Sequence, residues 1–297
     1  MLTITPSEIP VPKLHHYLLG AVGPRPIAFA STIDKDGNRN LAPFSFFNVF
    51  SANPPIMVFS PARSGRTNTT KNTFDNVKEV AEVVINIVNY SIVEQMSLSS
   101  SPFDSDVDEF VKSGLTPIAS ETIRPFRVKE SPVQFECKVN EVVELGTEGG
   151  AGNLVICEVT KIHIDEAILD ENGTIDQHKI DLVSRMGGNW YCRANAESMF
   201  EIKKPIMTIG IGYDAIPEDI RNSSVLSGND LGKLGGIEEF PNETDVNDHK
   251  LIELSELFVE LEDEQEKLEQ ELHKRAKQEL KEDKLKEAWM TLLAFNE

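Results

Sequence analysis

Residues 38–76 read NRNLAPFSFFNVFSANPPIMVFSPARSGRTNTTKNTFDN. Residues 41–50 mix aromatic and β-branched side chains with small polar ones, and residues 56–59 form a short apolar run bounded by prolines. Both runs are typical of β-strands, because such side chains suit a pleated surface and prolines mark its ends. A polar, basic loop and a helix start follow. Two predicted strands therefore lead directly into a loop that is suited to a ligand.

The loop after these strands favours an anion. Its cations are Arg63, Arg66 and Lys71, and several serines and threonines accompany them. A helix predicted over about residues 73–80 adds unpaired backbone N–H groups and a partial positive charge at its start. We therefore predict that Arg66, Lys71, Asn72 and Thr73 bind a phosphate. The alternative is a solvated loop in which Asn72 or Thr73 is only a helix cap.

Several motifs, in order along the chain, carry a resemblance to a known family. PRPIAFASTIDKDGNRNLAPFSFFNVFSANPPIMVFS is followed by KNTFDN, FDSDVDEFVKSGLTPIAS, ESPVQFEC, GNLVICEVTKIHIDEAIL and SRMGGNWYCR. Over roughly residues 20–200, the sequence resembles the flavin reductase-like family of FMN-binding split β-barrel proteins, which includes the flavoredoxins. The resemblance implies a mainly β protein: an antiparallel β-barrel with peripheral helices that binds FMN, followed here by a helical C-terminal extension.

The resemblance also implies which residues meet the flavin. From the first strands it carries over Thr32, Ser45, Phe46, Phe47 and Asn48 as contacts. The alternative to a flavin contact for the phenylalanines is a place in the barrel core. Side chains alternate between the two faces of a strand, and Phe44, Phe46 and Phe50 would share one face. In the motif MGGNWY a glycine pair permits close backbone approach, and Tyr191 lies near the ligand. Related flavin reductases can place a histidine such as His163 near the nicotinamide; a surface histidine is the alternative.

Other segments complete the predicted barrel. Residues 26–33 form a first strand that turns at DKDG into the next one. Residues 133–145 alternate strictly between apolar and polar side chains, so we expect one side of this strand to face water. That side carries Gln134, Glu136, Lys138 and Asn140. The turn at 146–152 leads into a strand at 153–164, which makes these two long strands a hairpin.

Composition limits the classes of partner. The chain has 297 residues, 40% of them hydrophobic, and a net charge of −20. Residues 205–297 hold 23 acidic and 10 basic residues, so most of the excess negative charge lies there. Such a field disfavours nucleic acids and anionic membrane surfaces, which bind basic patches. No run reaches the ~18 apolar residues of a membrane span. We predict neither nucleic acid nor membrane as a partner.

The cysteines and histidines show no disulfide or metal pattern. Cys137, Cys157 and Cys192 are odd in number and lack CxxC spacing, which is typical of buried thiols in a reducing compartment. His15 and His16 are adjacent, point in different directions and have no further ligand at metal spacing. We therefore predict a cytoplasmic protein without a metal ion.

Sequence motifs of several enzyme classes are absent. The chain holds no GxGxxG after a strand, no GxxxxGK[ST], no GxSxG and no HExxH. Rossmann, P-loop, α/β-hydrolase and zinc-protease assignments lose their main support. A flavoprotein needs no catalytic triad, because the flavin performs the hydride chemistry. We therefore predict no catalytic side chain.

We divide the chain into a split-barrel domain at residues 1–204 and an acidic extension at 205–297. In the extension, IPEDIRNSSVLSGNDLGKLGGIEEFP predicts a loop with short helical turns. Residues 248–294 predict a long helix. Its heptad-like positions are Leu251, Leu254, Phe258, Leu261, Gln265, Leu268 and Leu272. Such a helix packs on its own barrel, across a dimer or against a separate partner.

The function that the resemblance implies is flavin-mediated electron transfer with NAD(P)H as donor, that is, a flavin reductase. It also implies a homodimer with the flavin at or near the subunit interface. One alternative is a flavoredoxin-like carrier that keeps its FMN and takes electrons from a protein donor. Another is a barrel without flavin that acts as an adaptor through its acidic helix.

Overall fold

The chain forms two compact units. The computed structural model describes residues 1–202 and 208–295. The first unit is Met1–Phe200 and the second is Glu201–Glu297. The predicted boundary between residues 204 and 205 lies outside the described residues.

Seven antiparallel strands form the main sheet of the first unit, in the order β2-β1-β5-β8-β9-β4-β3. The strands are β1 Ala28–Ile33, β2 Arg39–Phe44, β3 Phe47–Ala52, β4 Pro55–Phe59, β5 Glu82–Ile87, β8 Val133–Glu144 and β9 Asn153–Ile164. Two short hairpins lie outside it, β6 Pro117–Ile118 with β7 Arg127–Val128, and β10 Val183–Arg185 with β11 Tyr191–Arg193. The edge strands β2 and β3 are consecutive in the chain and separated by only two residues. The sheet therefore curls round into a barrel that is split between β2 and β3.

All seven strands contribute to one buried interior, the two edge strands through the partly buried Phe44 and Phe47. Its members include Ala28, Ala30, Met57, Phe59, Val83, Ile85, Cys137, Val155 and Cys157. The predicted burial is confirmed for Cys137 and Cys157 and is wrong for Cys192, which is half-buried on the short strand β11. The opposite face of β1 is buried as well, because Phe29 packs with Met96 and Phe110 of the helices outside the sheet. Burial on both faces explains why the first strand reads as an almost continuous run of apolar and small residues.

Four α-helices belong to the first unit. They are α1 Val11–Ala21, α2 Asn72–Glu79, α3 Val93–Ser99 and α4 Glu109–Ser113. The predicted helix at 73–80 corresponds to α2, which places Val77 in the barrel interior. The next two, α3 and α4, pack outside β2. Because α2 contacts both β1 and β2, its first turn is fixed against the split side of the barrel.

The prediction that one side of β8 faces water is wrong for its first half. Gln134 and Glu136 are 7% and 0% exposed. A segment after β6 covers them, and the backbone amides of Glu121 and Thr122 donate to the Glu136 carboxylate. Alternation locates the two sides of a strand, but it does not show whether a later loop covers the polar one.

The second unit is helical and has its own core. Its helices are α5 Glu218–Arg221, α6 Gly228–Leu234, α7 Glu243–His249, α8 Ser255–Glu260, α9 Gln265–Lys281 and α10 Leu285–Leu293, with a π-helical turn at Lys250–Leu254. The predicted single helix over 248–294 is wrong, since turns break it near residues 261–264 and 282–284. Leu261, Leu268 and Leu272 pack inside this unit. Their heptad-like spacing therefore serves an internal helical core.

The prediction of a mainly β protein is not confirmed, because helix accounts for 33% of the chain and strand for 23%. The short helices over 216–234 add to the total: Ile220, Leu231 and Leu234 pack with Trp289, whose indole N–H donates to Leu234 O at 3.1 Å. No helix within the described residues is long and apolar enough to span a membrane.

Candidate functional site

The first turn of α2 is open to an anion. Lys71 occupies the N-cap position, and no side chain caps this turn. The amides of Asn72 and Thr73 cannot have acceptors within the helix, as at every helix start. Arg66 and Lys71 are exposed, and neither cationic group forms an ion pair or hydrogen bond within residues 1–202 and 208–295. The segment from Ser60 to Thr73, called the anion loop below, therefore presents two unpaired cations and an open helix start.

Arg63, the third predicted cation, holds the loop together. Its Nε donates to Asn68 Oδ1 at 2.8 Å, and its Nη2 donates to Asn68 O at 2.6 Å. Asn68 has a φ of 55°, a left-handed conformation that asparagine tolerates better than most residues. Thr70 Oγ1 donates to Asp75 Oδ2 at 3.0 Å, which ties the end of the loop to α2.

Thr32 and Thr73 lie together in a buried polar cluster. Asn40 Nδ2 donates to the hydroxyls of Thr73 and Thr32, at 2.9 Å and 3.3 Å, and Asn76 Nδ2 donates to Thr32 at 3.1 Å. The cluster joins α2 to β1 and β2. The ligand contacts predicted for Thr32 and Thr73 stay predictions. Sequence reasoning missed Asn40 and Asn76; the available signal was an amide placed among core positions, where it needs a partner.

The bend between β2 and β3 holds the other predicted flavin contacts. Ser45 and Phe46 form the bend, and Phe47 and Asn48 begin β3. Ser60 N donates to Phe46 O at 2.8 Å, so the bend adjoins the start of the anion loop. Asn48 is exposed. These four predicted contacts and the anion loop are therefore neighbours.

The alternative prediction placed Phe44, Phe46 and Phe50 on one face of the core. It is right for Phe44 and wrong for Phe46 and Phe50. Phe44 packs on Phe59 with ring centroids 5.6 Å apart, but Phe46 and Phe50 are 40% and 69% exposed. Phe47 packs against the barrel interior instead. The bend resets the alternation, because two residues outside strand geometry change which side chains point inward.

Tyr191 lies on the β10–β11 hairpin with a cation over its ring. Arg185 Cζ is 4.6 Å from the ring centroid, and Trp190 beside it is 77% exposed. A Cβ on Gly187 would lie 3.1 Å from Gly20 Cα. This glycine therefore permits the close backbone approach that the motif implies, and the backbone approached is that of α1.

Helix α1 runs past three of these segments. A Cβ on Gly150, after β8, would lie 3.3 Å from Val11 Cγ1. His15 meets Phe46 edge-on with ring centroids 6.3 Å apart. Gly20, nine residues after Val11, adjoins Gly187; at 1.5 Å per residue the two ends of this contact are about 14 Å apart. The anion-loop side and the β10–β11 hairpin thus lie at opposite ends of α1, with Phe46 between them.

His163 contacts a buried carboxylate. Its Nε2 lies 2.7 Å from Glu136 Oε1. Burial raises the pKa of Glu136, but hydrogen bonds from the Thr122 hydroxyl, the Glu121 and Thr122 amides and His163 outweigh burial and lower this pKa to about 2. Glu136 is therefore ionised. His163 is a structural partner here, and its predicted position near a nicotinamide stays a prediction. Within the described residues, no cluster of histidine, cysteine and carboxylates has metal-site geometry.

The split barrel with its peripheral helices is the architecture of flavin-binding oxidoreductases. Residues 21–180 match the family described as the flavin reductase like domain, and the chain belongs to this family. The match ends within the first unit.

Relatives and solved structures agree with this family. An uncharacterized protein of Aquifex aeolicus is 38% identical over 189 residues, which is 64% of this chain and 94% of the relative. Component B of nitrilotriacetate monooxygenase from Bacillus cereus is 31% identical with a TM-score of 0.63, covering 68% of this chain and 98% of that one. The 2-nitrobenzoate 2-nitroreductase of Pseudomonas fluorescens is 26% identical with a TM-score of 0.62, covering 71% and 100%.

Proposed function

We propose that this protein binds FMN and acts as an NAD(P)H-dependent flavin reductase. The observation that carries the proposal is the uncapped first turn of α2, which follows a loop with the unpaired side chains of Arg66 and Lys71 in a chain of the flavin reductase-like family. Two cations and two free amides suit one terminal phosphate. FMN has one such group, and the chain lacks a dinucleotide fingerprint that would favour FAD.

The remaining residues fit an elongated ligand with a phosphate at one end. The bend at Ser45 to Asn48 adjoins the anion loop and offers backbone groups and one exposed aromatic ring. Tyr191, with Arg185 over its ring, would border the flavin from the far end of α1. When bound, the flavin supplies the hydride and electron transfer; the protein binds and orients it. In this proposal Thr32 and Thr73 act by fixing α2, and the Thr73 backbone amide meets the phosphate.

A homodimer is part of the proposal. The first unit exposes apolar side chains on the edge strand β3, including Val49 and Phe50, and on α1 and just after it, including Leu18 and Val22. Not one residue of α1 is buried. Apolar surface and an open strand edge together favour association with a second copy, which would cover both. We place the protein in the cytoplasm, where NAD(P)H is available.

Binding and reduction can be tested separately. Titration with FMN, FAD and riboflavin should show tightest binding of FMN, and equal or tighter FAD binding would contradict the phosphate assignment. Rapid anaerobic mixing of the FMN-loaded protein with NADH or NADPH should bleach the flavin absorbance. Bound FMN that accepts electrons only from a protein donor would identify a flavoredoxin-like carrier instead. Failure to take up any flavin would favour the adaptor alternative.

A further inference from the structure

The turn between β8 and β9 is unusually rich in glycine. Residues 146–152 read GTEGGAG, and four of the seven are glycine. A hairpin turn by itself calls for glycine only where φ is positive. Among these four, that is true of Gly150 alone, with a φ of 90°. The other glycines need another explanation.

Close packing against the anion loop explains two of them. A Cβ on Gly149 would lie 3.0 Å from Ser64 O and 3.4 Å from Gly65 Cα, which are backbone atoms of the loop. A Cβ on Gly152 would lie 3.0 Å from Ser60 Oγ. The turn thus forms a surface on which the loop rests, and a single methyl group at Gly149 would require the loop backbone to shift by a few tenths of an ångström.

Hydrogen bonds fix the loop on this surface. Gly150 N donates to Arg63 O at 3.1 Å, and Arg63 N donates to Ala151 O at 2.9 Å. The Arg63 side chain in turn binds Asn68, on the other side of the exposed tip at residues 65–67. The loop is therefore fixed on both sides of this tip.

Asn153, the first residue of β9, secures the start of the loop. Its backbone N–H donates to Ser60 Oγ at 3.0 Å, and its Nδ2 donates to Pro61 O at 2.9 Å. The side chain is fully buried, and its Oδ1 has no hydrogen-bond partner within the described residues. A buried amide with one unpaired oxygen costs stability. At the base of the loop, its two donated hydrogen bonds hold Ser60 and Pro61 against the start of β9.

We propose that Gly149 and Asn153 are positioning residues for phosphate recognition. They act through Ser60 to Gly65, which they hold in place, and so set where Arg66 and Lys71 stand relative to the first turn of α2. Neither residue carries a charge or belongs to the loop itself. The inference rests on the proposed function, because it supposes that the anion loop binds the FMN phosphate.

The test compares FMN with riboflavin, which lacks the phosphate. Gly149→Ala should displace the loop, and Asn153→Ala should release Pro61. Each is expected to weaken FMN binding about tenfold, since losing alignment of one charge-assisted bond corresponds to about 1.4 kcal/mol. Riboflavin affinity should stay within about twofold of wild type, because its ring and ribityl contacts do not include the displaced phosphate site.

Gly146→Ala is the matched control, because it adds the same methyl group to the same turn at a position where Ala151 Cβ, at 3.3 Å, is the one atom within 4 Å and no atom of the anion loop is that close. It should keep the wild-type ratio of FMN to riboflavin affinity, and a comparable loss there would overturn the assignment. Melting temperatures identify variants that fold.

The assignment would also be overturned if both variants kept the wild-type ratio, or if FMN and riboflavin weakened equally, which indicates a merely structural role. A wild-type protein that binds both ligands equally would instead refute the phosphate assignment in the proposed function, and this inference with it. The two failures are therefore distinguishable.

Discussion

Replacing Glu136 with glutamine removes a buried charge while keeping the shape of the side chain. The wild-type carboxylate accepts hydrogen bonds from the Glu121 amide at 2.8 Å, the Thr122 amide at 2.7 Å and the Thr122 hydroxyl, and it contacts His163. A glutamine can present only one oxygen to these groups. Its NH₂ then faces at least one buried donor, which loses its acceptor.

The pKa of Glu136 sets the size of the effect. This pKa falls from 4.5 to about 2 on folding, which corresponds to a stabilisation of roughly 3 kcal/mol, since each tenfold change in proton affinity amounts to about 1.36 kcal/mol. Because the folded pKa is depressed, this stabilisation is fully present above pH 4.5 and is lost as the pH falls through about 2. We expect Glu136→Gln to lower the free energy of unfolding by roughly 3 kcal/mol at pH 7.

Urea unfolding at pH 7 and at several values down to pH 2 measures both consequences. The variant should unfold at lower urea at pH 7 and lose less stability than wild type below pH 4.5. Glu141→Gln is the control, since Glu141 is an exposed carboxylate of the same strand; it should change neither quantity appreciably. The reasoning would be refuted if the urea midpoint of Glu136→Gln at pH 7 equalled that of wild type, or if the variant lost as much stability as wild type below pH 4.5.

Three further predictions concern the site and the two units. Lys71→Ala should weaken the binding of FMN by about 10- to 150-fold, because it removes one charge-assisted hydrogen bond of about 1.5–3 kcal/mol, and should leave riboflavin binding unchanged. Lys78→Ala, which removes a lysine from the same helix, is the control in the same titration. Thr73→Val should lower the free energy of unfolding by about 1–3 kcal/mol, because the Asn40 side chain loses a hydrogen-bond acceptor. It should keep the wild-type ratio of FMN to riboflavin affinity, and a lower ratio would show that the Thr73 hydroxyl itself contacts the phosphate. A chain ending at Phe200 should still bind FMN in an absorbance titration, since the first unit has its own cores; loss of flavin would mean that the second unit completes the site.

The parts of the fold that sequence reasoning anticipated are those with local signals. The turn after Ile33, the strands on either side of Pro54 and the helix near Thr73 each follow from side-chain periodicity and turn residues within a few positions. The family followed from several motifs in order, and residues 21–180 do match it. The burial of Cys137 and Cys157 followed from their places within apolar strands.

The parts that failed depend on contacts between distant segments. Glu136 is buried because residues near 121 cover its strand, which alternation cannot show. Phe46 leaves the core face that the alternative gave it, and Phe47 packs inward, because a two-residue bend resets the alternation. The broken helix after residue 248 folds back on leucines whose spacing also suits a coiled coil. At the site, the glycines after β8 predict only a turn, because the anion-loop residues that they contact lie more than 80 residues earlier in the chain.

The pairing of β4 with β9 bears on the order in which this barrel can fold. Cys157 Sγ contacts Met57 O across a separation of 100 residues, and closing so long a loop is an entropic cost that local hairpins avoid. The anion loop follows directly after β4. The glycine turn at residues 146–152 comes directly before β9, and Asn153 is the first residue of β9. The phosphate site therefore has no precursor in the early hairpins β1–β2 or β3–β4. The site is complete only once β4 and β9, the most widely separated strands that pair in this sheet, have come together.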